Sequence, residues 1–297
     1  MSNPKRHHFV PKSYLSAFVE NESGFLHVYS KQSDMWRRQK PTQVMVRNKY
    51  YHQDWAPDGV DKNILEKRLG EFTEPKGLAS LNKLLISPEE LTDDDTAHIL
   101  MYLQFQRIRV PRQAETAKAL AQSALELSLA QKGFGQEAIK FCQIEMKDNF
   151  RFEFMRHVLG TLSPFMSRMV WELVEASPPA SFITTDSPVT FFNVDFPPPF
   201  EPGIALYGTF LLFPINTKFL LILKHPEYER GAKGASEKLP NTLEIEDGVI
   251  EIRKDIVWDC TQVENHNSLM FCLAQDLIAA SNKFTLEKAV GKSLSGF

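Results

Sequence analysis

The stretch "ASPPA", residues 176–180, separates two hydrophobic periods, and this switch constrains the fold more than any other feature of the chain. Upstream of it, from about Asp61, apolar residues recur at helical spacing. Downstream, "SFITTD", "PVTFFNV", "GTFLLFPI" and "KFLLILK" are short runs rich in Phe, Ile, Leu and Thr, of the strand type. A helical block followed by a strand block predicts an α+β protein.

The N-terminal part adds a third pattern. Pro11 suits the first position of a helix, where its missing N–H costs nothing. Tyr14, Leu15 and Phe18 then form one apolar stripe. "GFLHVYSK" reads as a strand, "SDMW" as a turn and "TQVMVRNKYYH" as the returning strand of a hairpin. "WRRQK", Trp36 to Lys40, falls at the hairpin tip, where an aromatic among bases suits nucleic acid or plain solvent.

The helical middle starts with Asp61 as an N-cap and Ile64, Leu65, Leu69 and Phe72 as a buried face; Pro75 should break or kink that helix. Thr92 caps the next helix, with Asp95 three residues on in a box-like arrangement, and Pro111 ends it. A long Ala/Leu-rich helix follows to about Lys132, then one helix or a pair from about Gln136 to Glu175. The chain closes on a helix at "QVENHNSLMFCLAQDLIAAS". "DFPPPFEPG" is a proline-rich loop between strands. No repeat or linker marks a boundary. We therefore expect one α+β domain over residues 1–297, with sub-regions 1–60, 61–177 and 178–297. The hairpin and the C-terminal strands should share one mixed or antiparallel sheet.

Composition excludes several classes. Formal net charge is −3, so global charge does not announce a nucleic-acid binder. The three cysteines are odd in number and none forms a C-x-x-C pair, against a disulfide framework or a Cys-rich zinc site. "MSNPKRHHFVPK" has no apolar core like that of a secretory signal, and the longest apolar stretch is cut by Pro214, Asn216 and Lys218, well short of the ~20 residues a bilayer span needs. The expectation is a cytoplasmic protein with no membrane partner. Oligomeric state is open.

Four groups of residues can carry chemistry. His7 and His8 stand side by side before a helix N-terminus, whose dipole favours neutral imidazole, the form that ligates a metal or acts as a base. Their structural alternative is a cap or a core hydrogen bond. Asp186 sits where a strand stops, as a carboxylate for a metal or for proton transfer, or as the first residue of an Asx-turn. Gln104, Gln106, Arg107, Arg109 and Arg112 crowd a helix end near Pro111. They can clamp an anion or simply complement the helix dipole. Gln104 and Arg107 share one face and Arg109 and Arg112 another. Glu66 and Glu71, five apart, do not share a face and read as solvated. No phosphate loop, dinucleotide fingerprint, nucleophile elbow or zinc-helix motif is present.

The pattern His-His-x-x-Pro-x-x-Tyr-Leu-x-x-Phe, carried by His7, His8, Pro11, Tyr14, Leu15 and Phe18, resembles the opening of a bacterial family known as domain of unknown function 4238. "QRIRVP", with Gln106, Arg109 and Pro111, is similar to its middle segment. "TTDSPV", with Thr185, Asp186, Pro188 and Val189, is similar to its strand end, and Asn267 falls in the closing helix. The resemblance covers nearly the whole chain. It implies no activity, but it gathers His7, His8, Arg109 and Asp186 into one set.

The reading we carry forward is a metal-dependent hydrolase acting on a phosphodiester, nuclease-like. His7, His8 and Asp186 hold a divalent metal, Arg109 stabilises the phosphate, and Gln106 and Arg112 bind substrate. Nucleic acid or another phosphorylated molecule is then the partner. The competing reading is a non-enzymatic sensing or interaction module, of the kind found in defence or mobile-element systems. A third is a metal-free His/Asp acid–base pair acting on a small anion held by Arg109.

Overall fold

The computed structural model describes residues 6–20, 23–54, 56–144, 148–197, 201–225, 242–244 and 250–291. Within them the protein is α+β. Its strands divide among three sheets rather than one.

The first sheet is a two-stranded ribbon. β1 (Arg6–His8) pairs antiparallel with β4 (Val46–Asn48), setting His7 opposite Arg47. The second has four strands. β2 (Leu26–Ser30) pairs with β3 (Met35–Gln39) on one side and with β12 (Leu277–Ala280) on the other, and β12 also pairs with β6 (Thr184–Thr185). The hairpin is thus tighter than its sequence suggested. Asp34 takes a left-handed φ of 50° in the turn, and "MWRRQ" is the returning strand rather than the tip. "TQVMVRNK" is left to supply the partner of β1.

The third sheet has six strands in the order β10–β11–β5–β9–β8–β7. They are β5 (Val170–Ala176), β7 (Thr190–Phe192), β8 (Phe210–Pro214), β9 (Phe219–Lys224), β10 (Thr242–Glu244) and β11 (Glu251–Trp258). β11 and β5 run parallel and the other pairs antiparallel, so the sheet is mixed. β5 occupies the end of a segment expected to be helical. Its residues are buried on both faces, and a strand covered on both sides loses the alternation that marks it in sequence.

The helices are α1 (Lys12–Leu15), α2 (Ile64–Arg68), α3 (Glu74–Ile86), α4 (Asp93–Ile108), α5 (Pro111–Gln131), α6 (Gln136–Phe141), α7 (Asp148–Met166), α8 (Cys260–Leu273) and α9 (Lys283–Gly291). Pro11 precedes α1, and Tyr14, Leu15 and Phe18 are buried. Thr92 and Asp95 form the expected capping box on α4: the Asp95 N–H donates to Thr92 Oγ1 at 3.3 Å and the Thr92 N–H donates to Asp95 Oδ2 at 3.1 Å.

Two expectations near residue 70 fail for one reason. Pro75 neither breaks nor kinks a helix, because it lies in the first turn of α3, where a proline is tolerated. Residues Leu69–Thr73 form a wide π-helical segment between α2 and α3. That segment rotates the apolar stripe, so Leu69 is buried while Ile64 and Phe72 face solvent. The helix N-cap is Asn63, whose N–H donates to Asp61 Oδ1 at 2.9 Å.

One core cluster draws on residues from Phe9 to Ala279, tying the ribbon, α3, α4 and α7 to one face of the six-stranded sheet. A second lies between that sheet and α8. Of the proline-rich loop, residues 198–200 lie outside the described residues.

Candidate functional site

Helices α3 and α4 set up the site. Gly77 packs so tightly against α4 that a Cβ there would lie 2.5 Å from the Cβ of Tyr102. This close approach brings Glu74, one turn before Gly77, to Arg109 at the end of α4. Arg109 is 2% exposed, and three of its N–H groups are used inside the protein. Nη1 donates to Glu74 Oε1 at 2.8 Å, Nη2 to the His8 carbonyl at 2.7 Å and Nε to the Tyr51 hydroxyl at 3.0 Å. It binds the protein's own chain, where the sequence reading had it bind phosphate.

His7 is fully buried. Its Nδ1 accepts the Tyr51 backbone N–H at 2.8 Å, and its ring stacks on the Tyr51 ring with an interplanar angle of 10°. That bond puts the proton of the neutral ring on Nε2. His8, next along the strand, points the other way and is half-buried. Its Nε2 lies 3.2 Å from the Pro41 carbonyl, which can only accept, so Nε2 donates and Nδ1 of the neutral ring keeps a lone pair. Burial pulls the His8 pKa below its ordinary value, with the Arg109 charge adding to the effect and the Pro41 bond opposing it.

Glu66 enters the same cluster. Its Oε2 is buried and without a hydrogen-bond partner. Burial pushes its pKa up to about 7; the Arg109 charge pulls it down and that of Glu74 pushes it further up. Eight residues make about 2.2 turns of α-helix, which would turn Glu66 and Glu74 apart. The π segment between them takes more residues per turn and returns both carboxylates to one side. Sequence spacing assumed α geometry, so it left Glu66 in solvent and passed over Glu74. Glu71, its proposed companion, is exposed.

Asp186 is placed elsewhere. Its carboxylate accepts the backbone N–H groups of Gln275, Asp276 and Leu277 at 3.0, 2.7 and 2.9 Å. It is 5% exposed and holds the turn between α8 and β12. Burial raises its pKa against the lowering effect of those three donors. The charged groups that act on it or feel it are Lys31, Arg112 and Asp276, whereas those acting on His8 are Arg109, Glu74 and Arg6. Among the described residues no three His, Cys, Asp or Glu side chains are grouped to hold a metal ion, so His7, His8 and Asp186 do not form the expected ligand set.

The arginine-rich helix end also divides. Arg107 and Arg112, assigned to different faces, converge on Glu201, an ion pair the sequence gave no reason to expect. Arg107 also donates to the Val189 carbonyl at 3.2 Å and lies over the Phe191 ring. Arg112 donates to the Leu273 carbonyl. Gln106 is 1% exposed and neither atom of its carboxamide meets a hydrogen-bond partner. Gln104 accepts from the Ser163 hydroxyl at 3.0 Å.

The family model described as Protein of unknown function (DUF4238) matches residues 6–284 of the 297. The chain belongs to that family. No curated protein and no solved structure matches it. Among the described residues no helix is long and apolar enough to cross a membrane, and the three cysteines are free.

Proposed function

We propose that the protein is a hydrolase working by acid–base chemistry on an anionic substrate, a phosphodiester, at the cluster around the Arg109–Glu74 pair. The observation that carries this reading is the buried Oε2 of Glu66, which has no hydrogen-bond partner beside a fixed ion pair. A buried carboxyl group left unmet costs stability and is often retained for its chemistry. His8 complements it. One group keeps a proton near neutrality and the other keeps a lone pair, the division of labour a proton-transfer site needs.

In this reading His8 Nδ1 takes a proton from water as the new O–P bond forms. Glu66 delivers its proton to the oxygen that leaves. Arg6, Arg47 and Lys49, all exposed on or beside the β1–β4 ribbon, attract the anion. No step passes through a metal, since the described residues group no ligands for one.

The test is hydrolysis of bis(p-nitrophenyl) phosphate, single- and double-stranded DNA, and RNA, with Glu66→Gln and His8→Gln beside the wild type. Loss of about 10²–10⁴-fold in kcat with the fold intact supports the reading. No turnover by the wild type, or equal turnover by Glu66→Gln, overturns it.

A second reading has its own support. His7, Arg109 and Asp186 are all occupied by bonds within the chain. This suits a non-enzymatic sensing or interaction module in which those residues are architectural. An inactive wild type whose Glu66→Gln variant is more stable favours it.

A further inference from the structure

Helix α8 covers only part of the six-stranded sheet. Over β8 and β9 it leaves a cleft of about 370 Å³, within the range of small-molecule sites. Leu212 and Ile222 form the floor, Phe192 and Phe210 one side, and Trp258 and Leu269 the other. Polar groups are few. Lys224, at the edge, is engaged by Glu172 at 2.8 Å and lies over the Phe210 ring, so it brings no unbalanced charge.

His266 also lines the cleft and is 5% exposed. Its ring meets the Phe182 ring edge-on, with centroids 5.5 Å apart, and lies 5.9 Å from the Trp258 ring. Burial drives its pKa down to about 3, so the ring is neutral at any ordinary pH. Its Nε2 has no hydrogen-bond partner. A neutral ring nitrogen either donates or accepts, and this one does neither. A hydroxyl serves both roles and so meets either tautomer.

We propose that this cleft is a binding site for a small, uncharged, hydroxylated aromatic molecule, held by the aromatic and aliphatic walls and hydrogen-bonded to His266. It is separate from the Arg109–Glu74 cluster and does not depend on the activity assigned there.

The test uses 2-naphthol as probe and naphthalene as its hydroxyl-free control, read by Trp258 fluorescence and thermal shift on the full chain. We expect saturable binding of 2-naphthol, about tenfold tighter than naphthalene. In His266→Phe, which keeps a ring and removes the nitrogen, the two should bind alike. If His266→Phe does not fold, the imidazole ¹⁵N shifts of the wild type decide, since a bond at Nε2 moves them and packing alone does not. Absence of saturable binding overturns the proposal. So does a 2-naphthol preference that survives His266→Phe, or ring nitrogen shifts unchanged by ligand.

Discussion

Asp186 and Leu277 bond to each other in both directions. The Asp186 N–H donates to the Leu277 carbonyl at 2.8 Å, and the Leu277 N–H donates to the Asp186 carboxylate at 2.9 Å. With the Gln275 and Asp276 N–H groups on the same carboxylate, one side chain closes the turn leading into β12. Asp186→Ala should cost about 3 kcal/mol, because it leaves buried donors unmet. Asp186→Asn should cost less, since one acceptor oxygen survives. Urea unfolding monitored by circular dichroism checks both, and near-equal stability of Asp186→Ala and wild type would contradict the role.

Removing Arg109 strands three acceptors at once. Arg109→Met should lower stability by about 3–5 kcal/mol, the cost of leaving a buried partner charge unpaired. Replacing Glu74 as well, in Arg109→Met/Glu74→Leu, should restore part of that loss. The coupling is read from the four corners of a double-mutant cycle. Strict additivity would mean the ion pair contributes nothing.

Gly77→Ala tests the close approach of α3 and α4. Alanine is the better helix former by about 1 kcal/mol. Its Cβ nevertheless meets the side chain of Tyr102, itself fully buried and hemmed in by the core. Overpacking should win, with a net loss of about 1–3 kcal/mol. A raised melting temperature would show that the helices can part at no cost.

Glu66 gives a pH signature. Its folded pKa, about 7, lies above the ordinary carboxylate value, so the folded state holds its proton more tightly than the unfolded chain does. The stability it contributes is complete below about pH 4.5 and is lost as pH rises to about 7. Asp95 works oppositely. Burial raises its pKa, but Lys83, Thr92 and Ser80 lower it further than that, so its contribution is present above about pH 3.8 and lost below. Glu66→Gln should remove the decline between pH 4.5 and 7, a span of about 1–2 kcal/mol after allowance for solvent screening. Denaturant midpoints across that range measure it. An unchanged slope in the variant would assign the decline to another group.

Local signals in the chain were strong enough to be read directly. The Thr92–Asp95 box, Pro11 before α1 and the Tyr14–Leu15–Phe18 stripe depend on residues a few positions apart. What the spacing hid was long-range or irregular. β5 is buried on both faces and so lost its period. The π segment shifted Glu66 onto the side of Glu74, against the α-helical assumption that placed it in solvent. His7, His8 and Arg109 were singled out correctly as neighbours in one cluster, but their hydrogen-bond partners, Tyr51 and Glu74, carried no local mark. Asp186 looked like a ligand because a carboxylate at a strand end suits a metal and an Asx-type turn equally well; it is the partner's backbone, 89 to 91 residues later, that decides.

Tyr14 donates its hydroxyl proton to the Pro214 carbonyl at 2.7 Å and meets Thr184 Oγ1 at 2.8 Å, so one buried hydroxyl from α1 joins the four-stranded sheet to the six-stranded one. Those partners follow it by 200 and 170 residues. During synthesis, at ~5–20 residues per second, the first helix therefore waits on the order of ten seconds or more for the surfaces that bury it. Until they arrive, Tyr14, Leu15 and Phe18 have nothing of their own chain to bury against, and that interval is when a chaperone has most to gain by holding the nascent N-terminus.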